Sequence, residues 1–376
     1  MIDFSTLKGL TIPEGNVTQI TDANGRVLWA VSGGKVVLGV EKITSDTYAG
    51  STTYTGEQFI LLDIYPKTNG TVSVTYGGLT KTITDTSGAE EPNAQQVSFG
   101  TFNGVSDDVE TPASGKLEIE GDCVAFGSGA YKTDKSHNTW CGCIASVADF
   151  GNMTVIANRA FACCSKLISV DIPPSVKSIG TELMDSIYAG GSFWECTGLE
   201  RVILHEGLSA IKSLSFYGCV NLASVVIPST VKKIGEQTFA YANNRDCYVE
   251  VDSKNTMYKI DGNCLIDIES NTILSGFANS VIPSYIQRVE GGAFEGCASL
   301  ASITIPASVT ELDGSPFIGC TGLVSVIFEN PSGWYVTTTK GGDLSTGTAV
   351  DVSDPANNAT LLTETYAYHN DYWYRS

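Results

Sequence analysis

From about residue 150 the apolar positions of this chain repeat one phrase. An aromatic, a cysteine and a leucine recur at three-residue steps: Phe161–Cys164–Leu167, Phe193–Cys196–Leu199, Phe216–Cys219–Leu222, Phe294–Cys297–Leu300 and Phe317–Cys320–Leu323. Each copy runs into a short apolar alternation, and most then reach a proline phrase, as at Ile172-Pro173, Ile227-Pro228, Ile282-Pro283 and Ile305-Pro306. Phe193 and Phe216 are 23 residues apart, and so are Phe294 and Phe317. A period in the twenties with one short strand per unit predicts a leucine-rich solenoid.

The unit beginning at Leu222 shows what such a coil requires. In a short strand Val225 and Ile227 point to one face and Ser224 and Val226 to the other. Pro228 lacks an N–H and suits the residue where strand pairing stops. Ser229 and Thr230 form a turn, Val231 and Ile234 return to the core, Gly235 permits a bend, and Phe239 fills the far side. The fifteen phenylalanine, cysteine and leucine positions above are therefore expected to be the structural core of the repeat. The cysteines read as small apolar residues in a regular slot, with Ala242 standing in their place after Phe239. The outward strand positions are Ser169 and Asp171, Arg201 and Ile203, Ser224 and Val226, Ser302 and Thr304, and Ser325 and Ile327. They are the candidate binding residues, weighed against an ordinary solvated sheet face.

The run L-x-x-I-x-I-P-x-S-V-x-x-I-G-x-x-A-F-x-x-C is nearly complete from Leu222 to Phe239 and from Leu300 to Phe317. Residues 151–335 thereby resemble the BspA-type leucine-rich repeats of bacterial and protist surface proteins. The resemblance implies a solenoid that binds rather than catalyses. Residues 181–192 lengthen one unit, the phrase at Leu204 lacks its proline, and a longer block separates Phe239 from Ile282. Within that block Asp261-Gly262, flanked by apolar alternation, predicts a hairpin.

The N-terminal part has a different period. Residues 1–32 carry two apolar alternations around Asn24-Gly25, which predicts a small hairpin and docking segment. This segment also resembles parts of tailed-phage structural proteins, which implies a virion component. Ser32-Gly33-Gly34 reads as a linker. Residues 35–121 hold short Thr- and Val-rich runs such as KVVLGVEKI, FILLDIYP, TVSVTYGG, KTITD, QQVSFGTF and KLEIEG. They predict an immunoglobulin-like β-sandwich. Residues 122–150 are expected to cap the solenoid, and residues 336–376, with Tyr366, Tyr368, Tyr372, Trp373 and Tyr374, to form an aromatic cap at its other end. The expected fold is mainly β: an immunoglobulin-like sandwich followed by a leucine-rich-repeat solenoid.

Net charge is −19, from 22 basic and 41 acidic residues, which argues against nucleic acid and anionic membrane surfaces. No stretch approaches the roughly 18 apolar residues of a membrane span. The first residues lack the basic and apolar regions of a signal peptide, an expectation that favours a virion component or a trimmed surface protein. Eleven cysteines, mostly in register, read as reduced thiols; Cys123, Cys141, Cys143, Cys163 and Cys164 form a denser group without zinc-knuckle spacing.

Catalytic patterns are absent: no G-x-S-x-G, H-E-x-x-H or G-x-x-x-x-G-K-[ST] occurs. His137, His205 and His369 are the only histidines, and His137 near Cys141 is weak ground for a nucleophile pair. No cofactor and no metal are expected. The sequence therefore predicts a non-enzymatic binding or structural protein at a cell surface or in a virion. Its partner is expected to be a protein or glycan, with homo-oligomer formation through the N-terminal segment. The alternatives are a bacterial adhesin whose signal peptide was removed and a non-catalytic module of a carbohydrate-active protein.

Overall fold

The computed structural model describes residues 19–21, 27–30, 35–41, 59–66, 69–86, 95–100, 114–121, 123–127, 130–134, 137–140, 143–151, 153–180, 191–242, 247–342, 345, 347–363 and 371–376. Nearly all regular structure is strand; the one helix among them is Pro355–Thr363. The strand Gln19–Thr21 pairs antiparallel with Val27–Ala30. The Asn24-Gly25 turn and the 32–34 linker lie outside the described residues.

Two antiparallel sheets follow. One has the order Ile144–Phe150, Val36–Glu41, Ser114–Gly121, Thr71–Tyr76, Leu79–Thr84. The other has the order Gln95–Gly100, Phe59–Pro66, Cys123–Gly127. Alternation sorts the side chains: Val72, Val74 and Tyr76 are buried, while Thr71, Ser73 and Thr75 face out. The outer hydroxyls pair across the strands with Thr84, Thr82 and Thr80 at 3.0, 3.2 and 2.9 Å, which accounts for the Thr-rich composition. Tyr76 meets Phe99 edge to face at 5.7 Å and ties the two sheets together.

Segment 122–150 differs from its expected boundary. The strands Cys123–Gly127 and Ile144–Phe150 are members of the two N-terminal sheets. The same segment places Phe126 and Phe150 against Phe161 at centroid distances of 5.6 and 6.1 Å. Two aromatic rings thus cover the open end of the first coil, because a strand has two faces and only one is needed by its own sheet.

The coils build two parallel ladders. The first stacks Ser169–Asp171, Arg201–Ile203, Ser224–Ile227 and Tyr248–Val251. The second stacks the two-residue strands Val155–Ile156, Ser178–Ile179, Ala210–Ile211 and Lys233–Ile234. Between them runs a column of phenylalanines: Phe161, Phe193, Phe216 and Phe239 stack at 4.8, 5.4 and 5.6 Å, and Phe294 stacks on Phe317 at 5.0 Å. The residue two after each phenylalanine bends left-handed, at Cys163, Glu195, Gly218, Tyr241, Gly296 and Gly319. At Gly235 proximity, not a bend, is what matters: a Cβ there would lie 2.2 Å from the Ser213 amide nitrogen.

The long block is a meander of Tyr258–Asp261, Cys264–Asp267 and Thr272–Gly276, with Gly262 and Asn263 both left-handed at its first turn. Its middle strand separates two apolar clusters. Leu265 belongs to the cluster that runs back to the N-terminal sheets, while Cys264 and Ile266 belong to the one that runs forward to Trp373. Beyond it Arg288–Val289 and Glu311–Leu312 extend the meander's sheet in parallel from Thr272–Gly276, and Ser302–Ile305 pairs with Ser325–Phe328. The strand Tyr372–Arg375 closes the end by pairing with Glu311–Leu312 and with Trp334–Thr337. Trp373 is fully buried, 6.3 Å from Phe328 in stacked geometry. Tyr366 and Tyr368 lie outside the described residues.

Candidate binding surface

The repeat-core residues are all buried, from Phe161, Cys164 and Leu167 in the first coil to Phe317, Cys320 and Leu323 in the last. Three of these thiols do more than fill space. Cys196 Sγ donates to Phe161 O, Cys219 Sγ to Phe193 O at 3.1 Å, and Cys320 Sγ to Phe294 O at 3.0 Å. A sulfur is long enough to reach the preceding coil's carbonyl, which Ala242 cannot do. Burial raises the Cys196, Cys219 and Cys297 thiols well above their ordinary range, and pushes Cys247, Cys264 and Cys320 up to about 12. Such thiols are poor nucleophiles. Among the described residues no group of three or more His, Cys, Asp or Glu side chains is placed to hold a metal. Cys141 and the side chain of His137 lie outside them.

The outward strand positions form two rows. Ser169, Arg201, Ser224 and Tyr248 occupy one register and Asp171 and Ile203 the next, joined by Val226 and Glu250. Ser302 and Thr304 pair with Ser325 and Ile327 on the later coils. Ser169, Asp171, Arg201, Ser224, Val226, Ser302, Thr304 and Ile327 are exposed; Ile203 and Ser325 are partly covered. Tyr248 and Glu250 were not among the sequence candidates. Their unit has no proline phrase, and only the alternation Tyr248-Val249-Glu250-Val251 marks it. Tyr248 is 55% exposed and Val226 49%; they stand diagonally across adjacent strands, Tyr248 in register with Ser224 and Val226 with Glu250. At the rim His205 Nε2 lies 2.7 Å from Asp171 Oδ1, linking neighbouring coils.

Two polar clusters lie elsewhere. Arg288 and Lys340 converge on the buried carboxylate of Asp313, with Glu290 and Glu311 beside them. Burial pushes the Glu290 carboxyl up to about 7, against the opposing pull of Arg288. On the phenylalanine side Tyr217 Oη and Gln237 Nε2 donate to the Glu295 carboxylate at 3.3 and 2.6 Å. Burial raises that carboxyl too. Both clusters tie coils together and neither opens onto a described cavity.

Comparison with known proteins matches the coiled region. Residues 154–277 and 274–334 match the BspA type Leucine rich repeat region in six copies, just under half the chain. No curated protein matches. A leucine rich cell surface protein from Faecalibacterium prausnitzii is similar in structure at 28% identity and a TM-score of 0.40, over 47% of this chain and 45% of that one. The pneumococcal vaccine antigen PcpA gives 18% identity and 0.40, over 48% and 44%. A leucine-rich repeat protein from Eubacterium ventriosum gives 21% and 0.35, over 49% and 60%. The chain thus spans less than two thirds of each of these structures. No helix among the described residues is long and apolar enough to cross a membrane.

Proposed function

We propose that this is a non-enzymatic recognition protein that binds a protein or glycan at a cell surface through the outer face of its first strand ladder. The observation that carries the reading is the half-exposed pair Val226 and Tyr248 set among Arg201, Asp171 and Glu250. A rigid face with an aromatic anchor and mixed charges binds with little loss of conformational entropy. The match of residues 154–334 to a repeat family supports the same reading. The two N-terminal sheets, read as an immunoglobulin-like sandwich, would act as the spacer that holds this face away from its mount. The virion reading and the homo-oligomer reading both rested on residues 1–32, whose side chains lie outside the described residues.

The test is binding of the full chain to immobilised extracellular proteins and a glycan array, compared with the double variant Val226→Glu, Tyr248→Ala. Loss of the anchor should weaken any specific binding by at least about tenfold, the scale of a central interface residue. Equal binding by the variant, or turnover of a bound glycan, would overturn the reading.

A further inference from the structure

We propose that the coils carry a second recognition site, in which Trp194, Glu195 and Tyr217 take the guanidinium of an arginine side chain from a partner protein. It lies on the phenylalanine side of the coils, not on the outer face of the first strand ladder, and so goes beyond the reading above.

Comparison of the coils with one another locates the site. The position after the core phenylalanine is Ala162, Trp194, Tyr217, Ala240, Glu295 and Ile318 in successive coils. The next position is Cys163, Glu195, Gly218, Tyr241, Gly296 and Gly319, and all six bend left-handed. Glycine enters that conformation without strain, whereas Glu195 and Tyr241 hold it at φ of 54° and 55°. The repeat by itself needs neither a carboxylate nor a ring there, and both flank the large aromatics Trp194 and Tyr217.

Stacking of the coils brings these rings and carboxylates together. Trp194 and Tyr217 lie 6.4 Å apart at 33°, and Tyr217 meets Tyr241 at 5.4 Å and 63°. All three rings are partly exposed. The Glu195 side chain lies against Gly218, its Cγ 3.0 Å from where a Cβ would stand, and its charge is felt at the Tyr217 hydroxyl. Glu295, which that hydroxyl touches, is already served by Tyr217 and Gln237. Glu195 is not served. Among the described residues its carboxylate has no hydrogen-bond or ion-pair partner, and burial alone raises it. Neither carboxylate faces a cation among the described residues.

A half-buried carboxylate without a partner calls for a donor that brings positive charge. The rings call for the same charge, since their faces attract cations. A quaternary ammonium would suit the rings but has no N–H for Glu195. A sugar would find no flat platform, because the three rings are inclined to one another. A guanidinium meets both needs: it is planar and stacks on a ring face while its parallel N–H groups pair with a carboxylate. No described cavity encloses the site, which suits a side chain presented on a protein surface better than a small molecule held on all sides.

The probe is the blocked peptide acetyl-Gly-Arg-Gly-amide, titrated into the full-length protein carrying labelled indole nitrogens and followed by nuclear magnetic resonance. The Trp194 signal is assigned by its loss in Trp194→Phe. The control is the same peptide with citrulline, which keeps the shape of arginine without its charge. The expected result is a saturable shift of the Trp194 indole, with an affinity at least about tenfold above that of the citrulline peptide at the same salt. Glu195→Gln removes a charge that the fold does not pair, so it should fold while weakening the arginine peptide by about tenfold. Tyr248→Ala should leave the peptide's binding unchanged, which separates this site from the outer-face reading. No saturable shift at Trp194, equal affinity for the citrulline peptide, or equal binding by a folded Glu195→Gln variant would overturn the proposal. If that variant does not fold, the comparison of the two peptides on the unaltered protein decides.

Discussion

The thiol of Cys196 donates to the main-chain oxygen of Phe161 in the preceding coil at 2.7 Å. The recurrent cysteine is therefore a fastener between coils as well as a filler. Replacing Cys219 by Ala removes the sulfur and its bond to Phe193 O. The expected loss is about 1–2 kcal/mol, read from the shift in the urea midpoint. A shift within error would show that the sulfur contributes no more than a methyl group there.

The same burial governs reactivity. Iodoacetamide at pH 8 should leave Cys196, Cys219, Cys297 and Cys320 unmodified in the native protein, since all four are buried with raised pKa values. All should react once the chain is unfolded in urea. Mass spectrometry of the native sample would expose the error if these positions carried stoichiometric label.

Glu290 makes stability depend on pH. Its carboxyl is raised from an ordinary 4.5 to about 7 by burial, with Asp313 and Glu236 adding to burial and Arg288 and Lys340 opposing it. Glu311 is the other carboxylate of the cluster. A raised carboxyl favours the neutral form in the fold. Its contribution is complete below about pH 4.5 and is lost as pH climbs through about 7. Glu290→Gln should remove that slope, gaining on the order of 2 kcal/mol relative to the unaltered chain by pH 8. Thermal melts at pH 5 and pH 8 would show it, and parallel pH profiles for the two proteins would refute it.

Gly296 is needed for two reasons. Its φ is +79°, and a Cβ there would fall 2.5 Å from the Tyr241 ring. Gly78 also has a positive φ, +83°, but nothing within 4 Å of its Cβ position. Gly78→Ala should cost only left-handed strain, about 1 kcal/mol, and Gly296→Ala about 1–3 kcal/mol more. Adding Tyr241→Ala to the second variant should recover part of the loss. Equal melting shifts for the two glycines would remove the steric argument.

Asn255 holds the meander to the coil before it with four hydrogen bonds to main-chain atoms. Asn255→Ala should cost about 3 kcal/mol, since it orphans main-chain groups around a residue only 8% exposed. Hydrogen exchange should rise first at Met257 and Tyr258. Unchanged exchange there would mean that water takes over the role of the amide.

Much of this was legible before any coordinates. The period of Phe193 and Phe216 located the coils, and the alternation around Val225 told inside from outside. The strands Phe59–Pro66 and Thr71–Tyr76 announced themselves through β-branched runs. Other parts were silent for physical reasons. A two-residue strand such as Lys233–Ile234 is too short to carry a period. The helix Pro355–Thr363 is built on PANNATLLT, whose paired asparagines read as a turn. It is held by tertiary contact, with Asn358 Nδ2 donating to Val326 O and Val352 O. The thiol bonds to carbonyls cannot be read from spacing, because spacing does not distinguish a filler from a donor. Tyr248 was missed for want of its proline, although it is the most exposed aromatic side chain of the first ladder.

The strand Cys264–Asp267 turns Leu265 to one interior and Cys264 and Ile266 to the other. It works as a bulkhead between two compartments. A breach on one side need not flood the other, and coils gained or lost fore or aft would have to refit only the bridge from Tyr217, Gln237 and Tyr241 to Glu295 that passes beside it. A repeat array built this way can vary its length while keeping a fixed landmark at which the reading frame of the stack begins again.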